Sequence, residues 1–396
     1  MISRVEDRWY SKKKDENKKR IKKKTYGVGD RWMAVWDDQD GTRRTKKFPT
    51  QEKALAHLAN ITTDKKTGNY VDASAGLKYV RDLLDQWATD SLHWKPSTRN
   101  AAQSDISAHI KPHWGDWTIG AVRKRDVQDW VAGMNMAPRT VDTIHGRFRT
   151  FLTWCVEENY IQKNPSAGIK LPKGRHREHV FLTVPQVRAL ADASSGDYKT
   201  LIWLLATCGL RIGEAVELRV KDLVLDRARI RVERSVVFVK GGAPVVGAPK
   251  SGRARTVSVT PFLVDMLREL VKHKRPTDFV FTTVRGFQIR PNNFKRREFD
   301  DAVAKVNSDA AEAVRKGVKK PLTIPVGLWV HDLRHTAASW LVQSGASVKA
   351  VQQQLGHAKA SITLDVYAGL FDSDLDDLTV RLQVLVTAQD TNSLAA

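Results

Sequence analysis

The sequence predicts a multidomain α+β protein with three parts: a small N-terminal β-sheet plus one helix, an all-helical domain, and a mixed, mainly helical domain with a β-hairpin or small sheet. Three observations lead there. The chain has 396 residues, more than one ordinary compact unit holds. A polar, glycine-containing joint, "TGNYVDASAG" (67–76), and a segment with two prolines, two glycines and a basic cluster, "NPSAGIKLPKGRHREH" (164–179), punctuate it. Hydrophobic periodicity is strand-like before the joint, helical between the two segments, and mixed after the second.

The first block, 1–72, begins with "SKKKDENKKRIKKK", where nine basic side chains face only Asp15 and Glu16, so a solvated, mobile segment is expected. Next come strand patterns in "DRWMAVWDD" and "RRTKKFPT" around the turn signal "QDGT", then a helix pattern in "QEKALAHLANITTDKK". Alternation puts Thr42, Arg44, Lys46 and Phe48 on one strand face and Arg43, Thr45 and Lys47 on the other, so either register leaves a basic face. A two-stranded ribbon of this kind fits a DNA major groove. An edge strand protected by lysine fits the same residues nearly as well.

Residues 73–170 carry four helical patterns: "LKYVRDLLDQWATDSL", "STRNAAQSDISAHI", "KRDVQDWVAGM" and "RTVDTIHGRFRTFLTWCVEENY". In the last, Val141, Ile144, Phe148, Phe151 and Cys155 line a core, leaving Arg139, His145, Arg147 and Arg149 for the other surfaces, where Arg139 and Arg147 are candidates for phosphate. Residues 171–179 form a linker. The third domain, 180–396, opens with "LTVPQVRALADA", in which Thr183 is the N-cap and Pro185 lies in the first turn. A β-ribbon ("ARIRVERSVVFV" with "ARTVSV"), further helices and a polar tail after Leu370 follow.

A formal charge of +22 and a pI near 10.0 point to a polyanionic partner, nucleic acid before others. The two cysteines, Cys155 and Cys208, have apolar neighbours, as packing residues in a reducing cytoplasm would. With no signal-length apolar start and no apolar run of about 18 residues, neither secretion nor membrane spanning is expected.

Chemistry concentrates in four stretches of the third domain: "TCGLRIGEAVEL" with Arg211, "APKSGRARTVSV" with Lys250, "HDLRHTAASWL" with His331 and Arg334, and "LGHAKASITLDVYAG" with His357 and Tyr367. Singly each has a plain structural explanation; Tyr367 in particular sits among apolar residues at helical spacing. His331 and His335 at i, i+4 with His357 suggest zinc, but Asp332 occupies the place of the zincin glutamate and Arg334 would add a cation beside the metal. Nor does a carboxylate cluster mark a two-metal site. Metal-free phosphodiester chemistry needs cations for the non-bridging oxygens, a proton donor for the leaving oxygen, and a nucleophile. Arginines, lysine, histidines and Tyr367 supply all three, with no cofactor.

"TCGLRIGEAVELRVKDL", "HDLRHTAASWLVQSGASVKAVQQQLGH" and the closing tyrosine resemble the tyrosine recombinase, or phage integrase, family. The order is Arg-x-x-Glu, a lysine in a hairpin, His-x-x-Arg, Gly-His, and Tyr about ten residues later. The resemblance implies a site-specific DNA recombinase that cuts and rejoins strands through a 3′-phosphotyrosyl link. Arg211 and Arg334 would hold the phosphate, and His357 and His331 would donate to it. His331 would also be the acid/base partner of Tyr367, Lys250 the general acid for the 5′-hydroxyl, and Glu214 a structural partner.

It further implies that 1–72 is an arm-type DNA-binding domain contributing Arg43, Arg44, Lys46 and Lys47. Residues 73–170 would be a core-binding domain and 180–396 the catalytic domain with its tail. The partners would be double-stranded DNA with core-type and arm-type sites, a homotetramer on that DNA, a directionality factor and a host DNA-bending protein. The alternatives are a transposon or resolution-system recombinase and a non-catalytic architectural DNA-binding protein.

Overall fold

The computed structural model describes residues 3–38, 41–67, 70–72, 74–174, 177–239, 243–249 and 252–371, together with Thr379 and Gln383. It divides into two compact units, Met1–His176 and Arg177–Ala396.

The first unit carries two separate apolar cores. Strands β1 (Ser3–Asp7), β2 (Tyr10–Lys14), β3 (Arg20–Lys22), β4 (Trp32–Asp37) and β5 (Arg43–Phe48) precede helix α1 (Gln51–Thr67). The order β1-β4-β5 makes an antiparallel sheet in which Trp32 pairs with Phe48, Ala34 with Lys46 and Trp36 with Arg44. Ala54, Leu58 and Ile61 of α1 are buried, and the first two share a core with Ala34, with Trp32, Trp36 and Phe48 packed against it. Since side chains alternate along a strand, Arg44 and Lys46 lie on the helix-covered face with Phe48, and Arg43, Thr45 and Lys47 lie on the other.

Residues 12–24 of the lysine-rich start are exposed, as expected of a solvated segment, but part of the segment has regular strand structure. Its ends pair as a ribbon, Tyr10 with Lys22 and Lys14 with Arg20. Contacts around Arg31 explain this: its guanidinium bonds Asp7 at 2.8 Å and lies 5.0 Å from the Tyr10 ring and 4.9 Å from the Trp32 ring. Tyr26 meets Trp9 and Tyr10, with ring centroids 5.8 and 5.3 Å away. The aromatic cluster gives the ribbon a base, while Lys12, Lys13, Lys14, Lys18 and Lys19 remain exposed where solvent screens their repulsion.

The second core belongs to α2 (Val80–Asp90), α3 (Pro96–Asp105), which continues through a π-helical turn (Ile106–Ile110) into α4 (Lys111–Trp114), α5 (Lys124–Ala132) and α6 (Pro138–Glu157). Val141, Ile144, Phe148, Phe151 and Cys155 line it as their spacing predicts. His145, expected on a surface, is instead 4% exposed and shares a 2.7 Å hydrogen bond with Ser166. The bond satisfies an imidazole that the helix phase turns inward.

The second unit is one larger core. It runs α7 (Val184–Asp192), α8 (Asp197–Cys208), α9 (Ile212–Ala215), β6 (Leu223–Val224), β7 (Arg229–Val232), β8 (Ser235–Phe238), β9 (Pro244–Gly247), β10 (Arg255–Ser258) and α10 (Pro261–Val271). Then come α11 (Pro291–Phe294), a π-helical turn (Lys295–Phe299), α12 (Asp300–Arg315), α13 (Val330–Gln343), α14 (Val348–Leu355) and α15 (Ala360–Phe371). Thr183 caps α7 through the Gln186 backbone N–H at 3.4 Å, with Pro185 in the first turn. Of the ribbon expected from "ARIRVERSVVFV" and "ARTVSV", only the first part pairs as expected, as β7–β10 with β6 on the other side of β7; Ser235–Phe238 turns instead into a separate hairpin, β8–β9, inserted between those strands. Cys155 and Cys208 are free and buried, and burial pushes both thiols up, Cys208 to about 12. Among the described residues, no helix is long and apolar enough to cross a membrane.

Candidate active site

Two chain reversals build the site. Helix α8 ends at Gly209, whose φ of +66° closes the cap, and an added Cβ would stand 2.4 Å from Leu355 Cδ2. Glycine is therefore required there by conformation and by space. Arg211 follows as N-cap of α9, which puts Glu214 one turn later where its carboxylate accepts from the Arg211 backbone N–H and guanidinium, both at 3.0 Å. Helix α14 ends in the same manner at Gly356, with φ of +72°, and a Cβ there would lie 2.7 Å from Arg255 Cδ. The Gly-His pair thus lets Arg255 cross close beneath the turn that presents His357.

Glu214 is fully buried and is the anchor of the cations. Arg255 bonds it with both terminal nitrogens, at 3.2 and 2.8 Å, and donates through Nε to the Gln354 carbonyl at 3.2 Å. Burial alone would raise the Glu214 carboxyl, but Arg255 and then Arg211 hold it below the usual carboxylate range.

Helix α13 projects His331, Arg334, His335 and Ala338 along one face, at i, i+3, i+4 and i+7. Its first turn is fastened by Asp332, which accepts from the Trp329 backbone N–H at 2.7 Å and from Arg177 at 2.9 and 2.6 Å. Asp332 is thereby a structural carboxylate. Arg334 is 3% exposed and donates through Nη1 to the Gly209 carbonyl at 2.6 Å; among the described residues its buried Nη2 has no hydrogen-bond partner. Burial, and after it Arg211, pull Arg334 down to about 9, which leaves it charged at pH 7.

Tyr367, on α15, is 2% exposed and packs with Ala338, Val342, Val351 and Leu355. Its hydroxyl shares a 2.8 Å hydrogen bond with His335 Nδ1. Burial pushes the phenol up to about 12 against the pull of Arg334. Both sides of the sequence dilemma hold, since the ring is core and the hydroxyl is polar and engaged. The ring bonded to it is His335, where the resemblance implies His331.

The His331 and His335 rings meet edge to face at 5.0 Å, and the His179 ring lies 3.9 Å from that of His335. His357 lies nearly parallel to Tyr367 at 6.4 Å and bonds Thr363 at 2.9 Å. Burial followed by Arg334 and Arg211 pushes His331 and His357 to about 4. His331 keeps an exposed face whose water moderates the shift, and both rings are neutral N–H donors at pH 7. A groove of about 510 Å³ passes His357 and Arg255, with Arg253 and Lys349 on its walls.

The structure brings together Arg211, Glu214, His331, Arg334, His357 and Tyr367. Lys250 lies outside the described residues. Sequence reasoning missed Arg255 and His179, which stand in basic stretches without distinguishing spacing. It met His335 only as a zinc candidate, although the i, i+4 spacing already placed that ring beside His331.

The DNA-contact candidates are all in the first unit and fall into different settings. Arg43 pairs with Asp37 at 3.3 Å, and Arg44 with the buried Asp38 at 2.7 Å. Lys46 lies 5.7 Å from the Phe48 ring, and Lys47 is exposed. Arg139 is exposed and pairs with Asp142 at 3.0 Å, whereas the half-buried Arg147 is held by Asp105 at 3.4 Å and the Trp94 ring at 5.9 Å.

Residues 180–373 match the phage integrase family, and residues 80–135 match the phage integrase N-terminal SAM-like domain. The integrase of Mycobacterium phage D29 is 28% identical over 297 residues, covering 72% of this chain and 73% of that one. Among solved structures, a Tn1549 transposon integrase in complex with transposon right end DNA superimposes with a TM-score of 0.65 at 19% identity, covering 78% of this chain and all of that one. A lambda integrase tetramer bound to a Holliday junction gives 0.50 at 15% identity, over 83% and 94% of the two chains.

Proposed function

The chain belongs to the phage integrase family of tyrosine recombinases, and from that premise we propose that it integrates and excises a mobile element, of a phage or a related integrative element, by cutting and rejoining DNA at attachment sites. The observation that carries the assignment is the buried Nη2 of Arg334, a charged donor without a partner among the described residues, in a site that also holds Arg211, Arg255, two neutral histidines and a tyrosine hydroxyl. A buried cationic donor left unpaired is costly, and a phosphodiester oxygen satisfies it.

In the proposed reaction Arg211 and Arg334 grip the non-bridging oxygens of the scissile phosphate, and His331 and His357 donate N–H groups to them. Glu214, itself anchored by Arg255, holds Arg211 in place. The Tyr367 oxygen attacks phosphorus, the bond from phosphorus to the 5′-oxygen breaks, and Lys250 protonates that oxygen. A 3′-phosphotyrosyl ester results. A second 5′-hydroxyl then attacks the ester, so religation needs neither a metal nor a nucleotide.

Residues 1–72 serve as the arm-type DNA-binding domain, with the open sheet face of Arg43 and Lys47 its better-placed cations, and 73–170 as the core-binding domain. Four copies assemble on two duplexes in the cytoplasm at the bacterial nucleoid, with a directionality factor and a host bending protein as accessories. The likeness to the tetrameric lambda integrase and the charge of +22 support the assembly on DNA.

The test is covalent capture: incubation with a pool of nicked duplexes randomised around the nick, followed by denaturing separation. An adduct with the intact chain and none with Tyr367→Phe is the expected result. Gel shifts should still show the variant binding DNA, because phosphate contacts supply most of the affinity. An adduct that persists in Tyr367→Phe overturns the assignment.

A further inference from the structure

The Tyr367 hydroxyl is engaged by a ring to which none of the roles above assigns a step. His335 Nδ1 is its hydrogen-bond partner at 2.8 Å. The neighbouring groups that act on Tyr367 or His335 from α13 are Arg334, His331 and Asp332; His179 faces His335 from the segment before α7. Arg334 offers only donors, Asp332 is engaged by Arg177 and the Trp329 backbone N–H, and the His357 ring lies 6.4 Å from that of Tyr367. In the tautomer that carries the ring proton on Nε2, His335 Nδ1 accepts the phenolic proton of Tyr367 across this bond.

We propose that His335 is a catalytic residue, the base that receives the Tyr367 proton as the tyrosine oxygen attacks phosphorus. The inference rests on the recombinase function proposed above. The balance is complete. The O–H bond of Tyr367 breaks toward Nδ1 while its oxygen forms the bond to phosphorus, and the 5′-oxygen leaves with the electron pair of its own bond and is protonated by Lys250. On religation the 5′-hydroxyl attacks, phosphorus releases the tyrosine oxygen, and His335 returns the proton to it.

At rest, burial and then His179 and His331 push His335 down to about 3, so the proton stays on tyrosine and the pair is a neutral hydrogen bond. A phosphodiester held at Arg211 and Arg334 brings a negative charge toward the ring, which favours its protonated form. Proton transfer is thus tied to the presence of DNA. His331 remains free to donate to the phosphate.

The experiment uses the full chain and a nicked duplex recovered from the randomised pool by covalent capture. Rates of adduct formation are followed from about pH 6 to about pH 9 for the wild type, His335→Gln and His331→Gln, with binding of the same duplex measured in parallel. Glutamine can accept the tyrosine hydrogen bond but cannot take the proton, so it separates positioning from base catalysis. His335→Gln is expected to bind the duplex normally and to form adduct on the order of 10²- to 10⁴-fold more slowly near pH 7. The deficit should shrink by about tenfold per pH unit as hydroxide replaces the missing base. A rate within about threefold of wild type, or a deficit constant with pH, overturns the proposal and leaves His335 a positioning residue. A deficit that shrinks with pH in His331→Gln alone transfers the role to His331 and overturns it equally. If the pool yields no Tyr367-dependent adduct, the recombinase assignment fails first and this step with it.

Discussion

Replacing Glu214 by alanine removes the carboxylate that three guanidinium nitrogens of Arg211 and Arg255 share at 2.8 to 3.2 Å, and it does so at a position with no exposure to water. Arg255 is itself only 9% exposed, so its charge cannot turn to solvent without moving the strand that carries it. Breaking a buried ion pair from one side costs about 3–5 kcal/mol, because the remaining charge stays buried and unpaired. For a unit of this size each kcal/mol lowers the melting temperature by about 2–4 °C, so Glu214→Ala should melt about 6–20 °C below wild type. Calorimetry of the full chain measures this, and limited proteolysis just above the shifted transition assigns it to the second unit.

The pH dependence follows from the same contacts. The folded carboxyl titrates below its ordinary 4.5, so its stabilisation is fully present above that value and is lost as pH falls through the folded value. Glu214→Gln, which keeps the shape and one acceptor oxygen, should therefore be clearly less stable than wild type at neutral pH and approach it in acid. A shift below about 2 °C for the alanine variant, or a wild-type advantage over glutamine that grows as pH falls, would refute the view that Glu214 anchors the cations.

Two further outcomes are expected. Gly209→Ala should lower stability by more than the about 1–3 kcal/mol of left-handed strain, because its Cβ also meets Leu355, and should cut adduct formation by displacing the carbonyl that holds Arg334; calorimetry and covalent capture check both, and unchanged values would mean that the α8 cap does not position the arginine. Lys250→Ala should slow cleavage of ordinary DNA strongly, while a substrate with a 5′-bridging sulfur, whose leaving group needs no proton, should regain much of the rate; equal defects on both would reduce Lys250 to a contact with DNA.

The primary structure by itself determined the family, much of the succession of helices and strands, and most of the residues that the candidate site brings together. The β7–β10 pairing, helices α1 to α3 and α5 to α7, and the core of α6 follow from periodicity and capping residues, which act between neighbours a few positions apart. The motif residues could be assembled because each stretch carries its own local reason: an αL glycine before Arg211, an i, i+3 pair in His331 and Arg334, and another αL glycine before His357.

Only the tertiary structure decided how the side chains share their partners. That Arg255 and Arg211 divide one buried carboxylate depends on strand β10 meeting α9, elements 41 residues apart in the chain. That the Tyr367 hydroxyl meets His335 rather than His331 depends on the packing of α15 against α13, which turns two rings one helical turn apart into an occupied and an unoccupied neighbour. The lysine-rich start shows the same limit from the other side: its composition favours solvation, and the ribbon exists because Arg31, Tyr10, Tyr26 and Trp9 converge at its base. Charge, spacing and propensity are properties of neighbours in sequence, whereas burial and hydrogen-bond pairing are properties of neighbours in space, and the chemistry of this site resides in the second kind.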